Sequence, residues 1–141
     1  MIVVLDTDVV VAAMRSPRGA SAGLLRLLRQ GRLRVAVSVP LFAEYEAVCQ
    51  RPHHRQAAGL TEAQVSAFLD GLASLVTPVE IHYNWRPQLR DVADEMVLEA
   101  AVNAGADALV SFNHRDFAAA AARFGLRLRL PGEVLRSLPH E

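Results

Sequence analysis

Short apolar runs alternate along the chain with stretches whose apolar positions recur every three or four residues. Ile2–Leu5 is uniformly apolar and mostly β-branched, the pattern of a strand buried on both faces of a sheet. A short helix is expected near Val9–Met14, and "SPRG" (Ser16–Gly19) reads as a turn by its Pro and Gly. From about Ala20 to Gln30, Leu24, Leu25, Leu27 and Leu28 give a helix one apolar face, and Gly31 stops it. Arg34–Ser38 reads as a second strand. Ser38 and Pro40 open a helix through about Gln50, which Pro52 closes. "RPHHRQAAG" reads as a polar loop. Thr61–Gln64 has capping-box spacing and starts a helix to about Leu75.

The second half repeats the theme. Val79–Trp85 reads as a short extended piece, and Val92–Ala104 as a helix ended by Gly105. Asp107–Ser111 is a third buried strand, followed by a helix around Arg115–Phe124 that Gly125 stops. Leu126–Leu130 alternates like an edge strand, and Pro131 starts a last short helix. Strands alternating with helices imply a three-layer α/β/α domain around a mainly parallel sheet of four to five strands. The whole chain, 1–141, reads as one domain without internal repeats or linkers.

Composition narrows the function classes. No apolar run approaches the roughly 20 residues of a membrane span, and the amino end lacks the order of a signal peptide. Cys49 is the sole cysteine, which excludes an internal disulfide and multi-cysteine metal sites and fits a reducing cytoplasm. The formal net charge is zero, yet all 15 basic residues are Arg. Six of them fall between Arg15 and Arg34, so the charge is uneven. Chemistry that needs a lysine is excluded.

The acids are placed less evenly than chance capping suggests. Asp6 and Asp8 follow the first strand, and Glu44 sits one turn into the helix after the second. Asp91 and Asp94 lie three apart at the start of the Val92 helix, while Asn113 and Asp116 follow the third strand. Asp107 instead begins its strand, at the opposite edge. Each placement alone is explained by capping and the helix dipole. Four segments delivering acids to one edge call for a neutralising charge, and Mg²⁺ is suited to a few carboxylates, waters and phosphate oxygens.

The stretches "VVLDTDVVVAA", "SVPLFAEYEAV", "RDVADEMVLEAA" and "GADALVSFNHRDF", in that order, resemble the PIN domain. The likeness takes in "RGASAGLLRLLRQGRLRVAVS" and the ending "LPGEVLRSL", so it covers nearly the whole chain. It is similar in particular to small single-domain members, many of them VapC-type ribonuclease toxins held inactive by a cognate antitoxin. The resemblance implies catalytic acids at Asp6, Glu44 and Asp94, with Thr7 beside the first and Asp91 matching an acid that often precedes the third. The fourth position, usually Asp, is Asn113, with Asp116 downstream as a possible compensating ligand. Asp8 stands where the family often has Asn.

What the resemblance implies is a metal-dependent endoribonuclease acting on single-stranded RNA. Asp6 and Asp94, with Asn113, Asp91 or Asp116, would hold Mg²⁺ or Mn²⁺, and Thr7 and Ser111 would orient carboxylates. The expected products carry a 5′-phosphate and a 3′-hydroxyl. Arg15, Arg18 and Arg115 are candidates for flanking phosphates, against the ordinary reading of solvated surface. Tyr83 and Trp85 suit base stacking or packing, His114 reads as surface, and His53–His54 lacks partners at metal-ligand spacing. The resemblance also implies an antitoxin partner and a homodimer. Two alternatives stay open: a catalytically weak or inactive module that binds RNA or protein, favoured by Asn113, and a haloacid-dehalogenase-like phosphatase suggested by Asp-x-Asp. The absence of lysine counts against the phosphatase and against a receiver domain.

Overall fold

The apolar runs pair side by side. In the computed structural model, which describes residues 1–83 and 86–138, five parallel strands form one sheet in the order β3-β2-β1-β4-β5. They are β1 (Ile2–Leu5), β2 (Arg34–Val37), β3 (Thr77–Pro78), β4 (Ala108–Val110) and β5 (Arg127–Arg129). Val3 lies opposite Val35 on one side and Ala108 on the other. Val3, Val4, Leu5, Val35, Leu109 and Val110 are fully buried, so the central strands need apolar side chains on both faces.

The described helices flank this sheet: α1 (Thr7–Arg15), α2 (Ala20–Arg29), α3 (Val39–Cys49), α4 (Pro52–Ala58), α5 (Glu62–Ala73), α6 (Val92–Ala104), α7 (His114–Arg123) and α8 (Pro131–Ser137). α6 packs over β1, β2 and β4, while α1 packs on α2, α3 and α4. The chain builds outward from β1 to β3, then returns to place β4 on the other flank of β1. Connections therefore diverge between β1 and β4, where an open α/β sheet leaves a crevice at the strands' carboxyl ends.

Local signals explain most boundaries. Ser38 Oγ accepts from Leu41 N–H at 3.3 Å, and the Thr61–Gln64 capping box is formed in both directions. Asp107 holds the opposite edge, accepting from Ile2 N–H at 2.8 Å. Three expectations need correction. The helix after β1 starts at Thr7 rather than Val9, because Asp6 is its cap. "RPHHRQAAG" is not a loop: Pro52 opens α4, which Gly59 ends in the left-handed region at φ +70°. The extended piece expected at Val79–Trp85 is replaced by the two-residue β3 upstream; Trp85 lies outside the described residues.

The segment after β3 is held by a polar stripe of α6. Glu95, Glu99 and Asn103 lie four residues apart and so share one helix face. Glu95 Oε1 accepts from the backbone N–H groups of Gln88 (2.5 Å) and Leu89 (2.6 Å). Glu99 pairs with Arg86, and Asn103 Oδ1 accepts from His82 and Tyr83 N–H, both at 2.9 Å. No helix among the described residues is long and apolar enough to cross a membrane.

Candidate active site

The end of β1 delivers Asp6 into the crevice. Its backbone N–H still pairs with Val110 O at 2.8 Å, so the sheet fixes its position to the last residue. Its Oδ1 accepts from Thr7 N–H (2.8 Å), and its Oδ2 accepts from Ser111 Oγ (2.6 Å). Ser111 Oγ in turn accepts from Asn113 N–H at 2.8 Å, which ties the turn after β4 to the Asp6 carboxylate. Beneath it, the fully buried Tyr45 donates its hydroxyl to Leu5 O at 2.5 Å, satisfying the strand's last carbonyl. Asp6 thus both caps α1 and points a buried carboxylate at the site.

Three other elements meet it there. A cleft of about 630 Å³ is lined by Asp6, Thr7, Asp8, Glu44, Asp94 and Asn113, together with Arg15 and His54. Glu44 comes from the second turn of α3 and Asp94 from the first turn of α6. Asp8 Oδ2 accepts from Phe112 N–H at 3.2 Å, bridging α1 to the turn after β4. Asp8 Oδ1 and Thr7 Oγ1 are buried without a hydrogen-bond partner in the protein.

The remaining expected residues fall nearby but not inside. Asp91 caps α6, its Oδ1 accepting from Ala93 N–H at 2.8 Å, and Asp116 accepts from Asn113 Nδ2 at 2.9 Å. Both line an adjoining depression of about 420 Å³ with Arg90, Arg115 and Arg123, and Asp94 borders both spaces. Arg18 lines neither. Among the ionisable residues of the cleft, Asp8 and His54 are those to which the sequence assigned no catalytic or binding role.

Crowding the acids raises their proton affinity. Burial pushes Asp6 above the ordinary carboxylate range despite the hydrogen bonds from Ser111 and Thr7, and the charge of Asp91 adds to the rise. Burial, then the charge of Asp6, pushes Asp8 up to about 7. Asp94 is pushed up to about 6 by burial and by the charges of Asp6, Asp91, Asp116 and Glu95. The cluster is thus electrostatically unfavourable as it stands, and its donors are all hard oxygens. Among the described residues no three His, Cys, Asp or Glu side chains are placed to hold a metal ion by themselves. Hard oxygen donors match an ion such as Mg²⁺, which takes one or two carboxylates and keeps several waters. The orphaned Asp8 oxygen and the raised proton affinities are what such an ion would relieve.

A family model described as PIN domain matches residues 2–115. Among solved structures, the fold is similar to the crystal structure of VapBC2 from Rickettsia felis bound to a DNA fragment from the promoter. The likeness has a TM-score of 0.63 at 19% identity, over 92% of this chain and 98% of the other. No curated protein matches the sequence.

Proposed function

The chain belongs to the PIN domain family, a family of nucleases, and on that premise we propose that it is a metal-dependent endoribonuclease that hydrolyses phosphodiester bonds of single-stranded RNA. The observation that carries this reading is the meeting of Asp6, Asp8, Glu44 and Asp94 in one cleft at the carboxyl ends of the strands. Asp6 and Asp94 are the residues to hold Mg²⁺ or Mn²⁺, with the carbonyl oxygen of Asn113 and the free oxygen of Asp8 as further donors. Such an ion, when bound, supplies positive charge against the phosphate oxygens and makes the attacking water more acidic.

The protein's own groups do the rest. Ser111 and Thr7 N–H lock the Asp6 carboxylate in one orientation. Glu44 faces the same cleft from another helix, where it orients the attacking water and receives its proton. Water attacks phosphorus, the bond to the 3′-oxygen breaks, and that oxygen takes a proton from solvent and leaves as a hydroxyl. Asn113 carries no charge, but its amide N–H₂ is engaged by Asp116, which turns the carbonyl end free for a ligand role.

The same reading makes the protein the cytoplasmic toxin of a type II toxin–antitoxin pair, able to form a homodimer. An apolar groove of about 740 Å³, lined by Met14, Leu25, Phe68 and Leu72 with Arg26 and Arg29, supports a protein partner with acidic and apolar side chains. The test is incubation with a pool of single-stranded RNA and, separately, duplex DNA, with Mg²⁺, Mn²⁺ or EDTA. Metal-dependent cleavage of RNA to 5′-phosphate ends is expected. RNA left intact in either metal, with the metal shown to bind, favours the binding-module alternative.

A further inference from the structure

α4 has no fully buried residue, yet it packs on α1, and its His54 enters the cleft of the acids. Arg15, the last residue of α1, places Nη1 3.3 Å from His54 Nδ1. A guanidinium is always a donor, so Nδ1 accepts, and the imidazole proton resides on Nε2. The contact therefore fixes one tautomer and leaves two unlike donors in the same cleft: the remaining N–H groups of Arg15 and the Nε2–H of His54. The His53 ring lies against that of His54, with centroids 4.0 Å apart and planes tilted by 40°, which limits the ring's freedom.

The location decides what this pair can hold. Asp8 lies in the first turn of α1 and Arg15 at its end, about 10 Å apart along the axis. That backbone separation leaves room for the pair to take a different phosphate from the one resting on the acids. We propose that Arg15 and His54 form a second anion subsite of the cleft, which takes a non-scissile phosphate of the RNA strand and so sets where along the strand the acids cut. This rests on the nuclease reading and adds a binding residue, His54, from a helix that the acid motifs do not include. Burial, with the nearby His53, Arg15 and Arg51, holds the His54 pKa below its usual value, so the imidazole acts as a neutral donor at neutral pH.

A neutral donor and a cation leave different signatures. Cleavage of one single-stranded RNA oligonucleotide would be measured for the wild type, His54→Ala, His54→Gln and Arg15→Gln, with Asp6→Asn as the inactive reference. Loss of one charge-assisted hydrogen bond predicts that His54→Ala raises KM about tenfold with kcat within about twofold. His54→Gln, which keeps a neutral N–H donor, is expected to restore most of it. Binding to the same oligonucleotide at several salt concentrations, in the Asp6→Asn background, separates the two groups. Arg15→Gln should lower the slope of log affinity against log salt by about 0.7, and His54→Gln should leave it unchanged. Cleavage by the wild type that is indifferent to both His54 replacements, or a loss of kcat at constant KM, overturns the subsite alone. Absence of both binding and cleavage in the wild type overturns the nuclease reading and the subsite together.

Discussion

Replacing Asp94 with Asn should make the metal-free protein more stable at neutral pH while disabling the site. Asp94 is pushed up to about 6 from 3.8, by burial first and then by neighbouring acids. At about 1.4 kcal/mol per pH unit, that is a ceiling of about 3 kcal/mol against the charged folded form. The side chain is only partly buried, so screening by solvent reduces this to about 1 kcal/mol. For a chain of this length the change is worth about 3 °C in Tm.

The pH dependence has a definite sign. The folded state holds the Asp94 proton more tightly than the unfolded chain, so stability is lost as pH rises from about 4 to about 6 and stays lower above. The assay is thermal unfolding followed by circular dichroism in EDTA at pH 8 and pH 4.5. Asp94→Asn should melt about 3 °C above the wild type at pH 8, and by a smaller margin at pH 4.5, where the cost has only partly developed. With millimolar Mg²⁺ at pH 8 the wild type should gain stability, because an ion binds only the folded state, and the variant should gain less. An Asp94→Asn protein that melts at or below the wild type in EDTA at pH 8 would refute the idea that these acids strain the fold.

Other expectations follow from single contacts. Ser111→Ala removes the donor that lowers the Asp6 pKa, so the acid limb of the cleavage–pH profile should move to higher pH. Tyr45→Phe leaves the buried Leu5 carbonyl without its hydroxyl partner, and chemical denaturation should show a loss of about 1–2 kcal/mol. Glu95→Ala unpairs two backbone N–H groups at once; the amides of Gln88 and Leu89 should then exchange with solvent at least tenfold faster, while those of β1 keep their relative protection.

How much the sequence disclosed depends on whether burial leaves a pattern. α6 was legible to the residue, since Asp91 caps it, Gly105 stops it and apolar positions mark its inner face. β1 and β4 were legible because a strand buried on both faces is an uninterrupted apolar run. The edge location of Asp6, Glu44 and Asp94 then followed from which ends of these elements they occupy. α4 was hidden because no residue in it is fully buried and no apolar stripe exists to read; only Pro52 and Gly59 mark its ends. β3 is two exposed residues, too short for any period.

Buried charge was the other blind spot. Glu95 and Glu99 look like a solvated helix face, and they are covered only because the segment after β3 folds back over α6. Asp8 was legible as an acid at the end of the first strand, but its bond to Phe112 N–H, which spans 104 residues of chain, was not. His54 reaches Arg15 across 39 residues through the packing of α4 on α1. Contacts of that range have no signature in local spacing.

The proposal that the acids at the end of β1 make this protein a metal-dependent ribonuclease rests on Asp6. Its most direct test is a side-by-side assay of purified wild type and Asp6→Asn on single-stranded RNA, with matched unfolding curves and with Mg²⁺, Mn²⁺ or EDTA. Cutting by the wild type only with metal, and none by a fully folded Asp6→Asn, is the expected result. Cutting by Asp6→Asn at the wild-type rate, or by the wild type in EDTA, would contradict it.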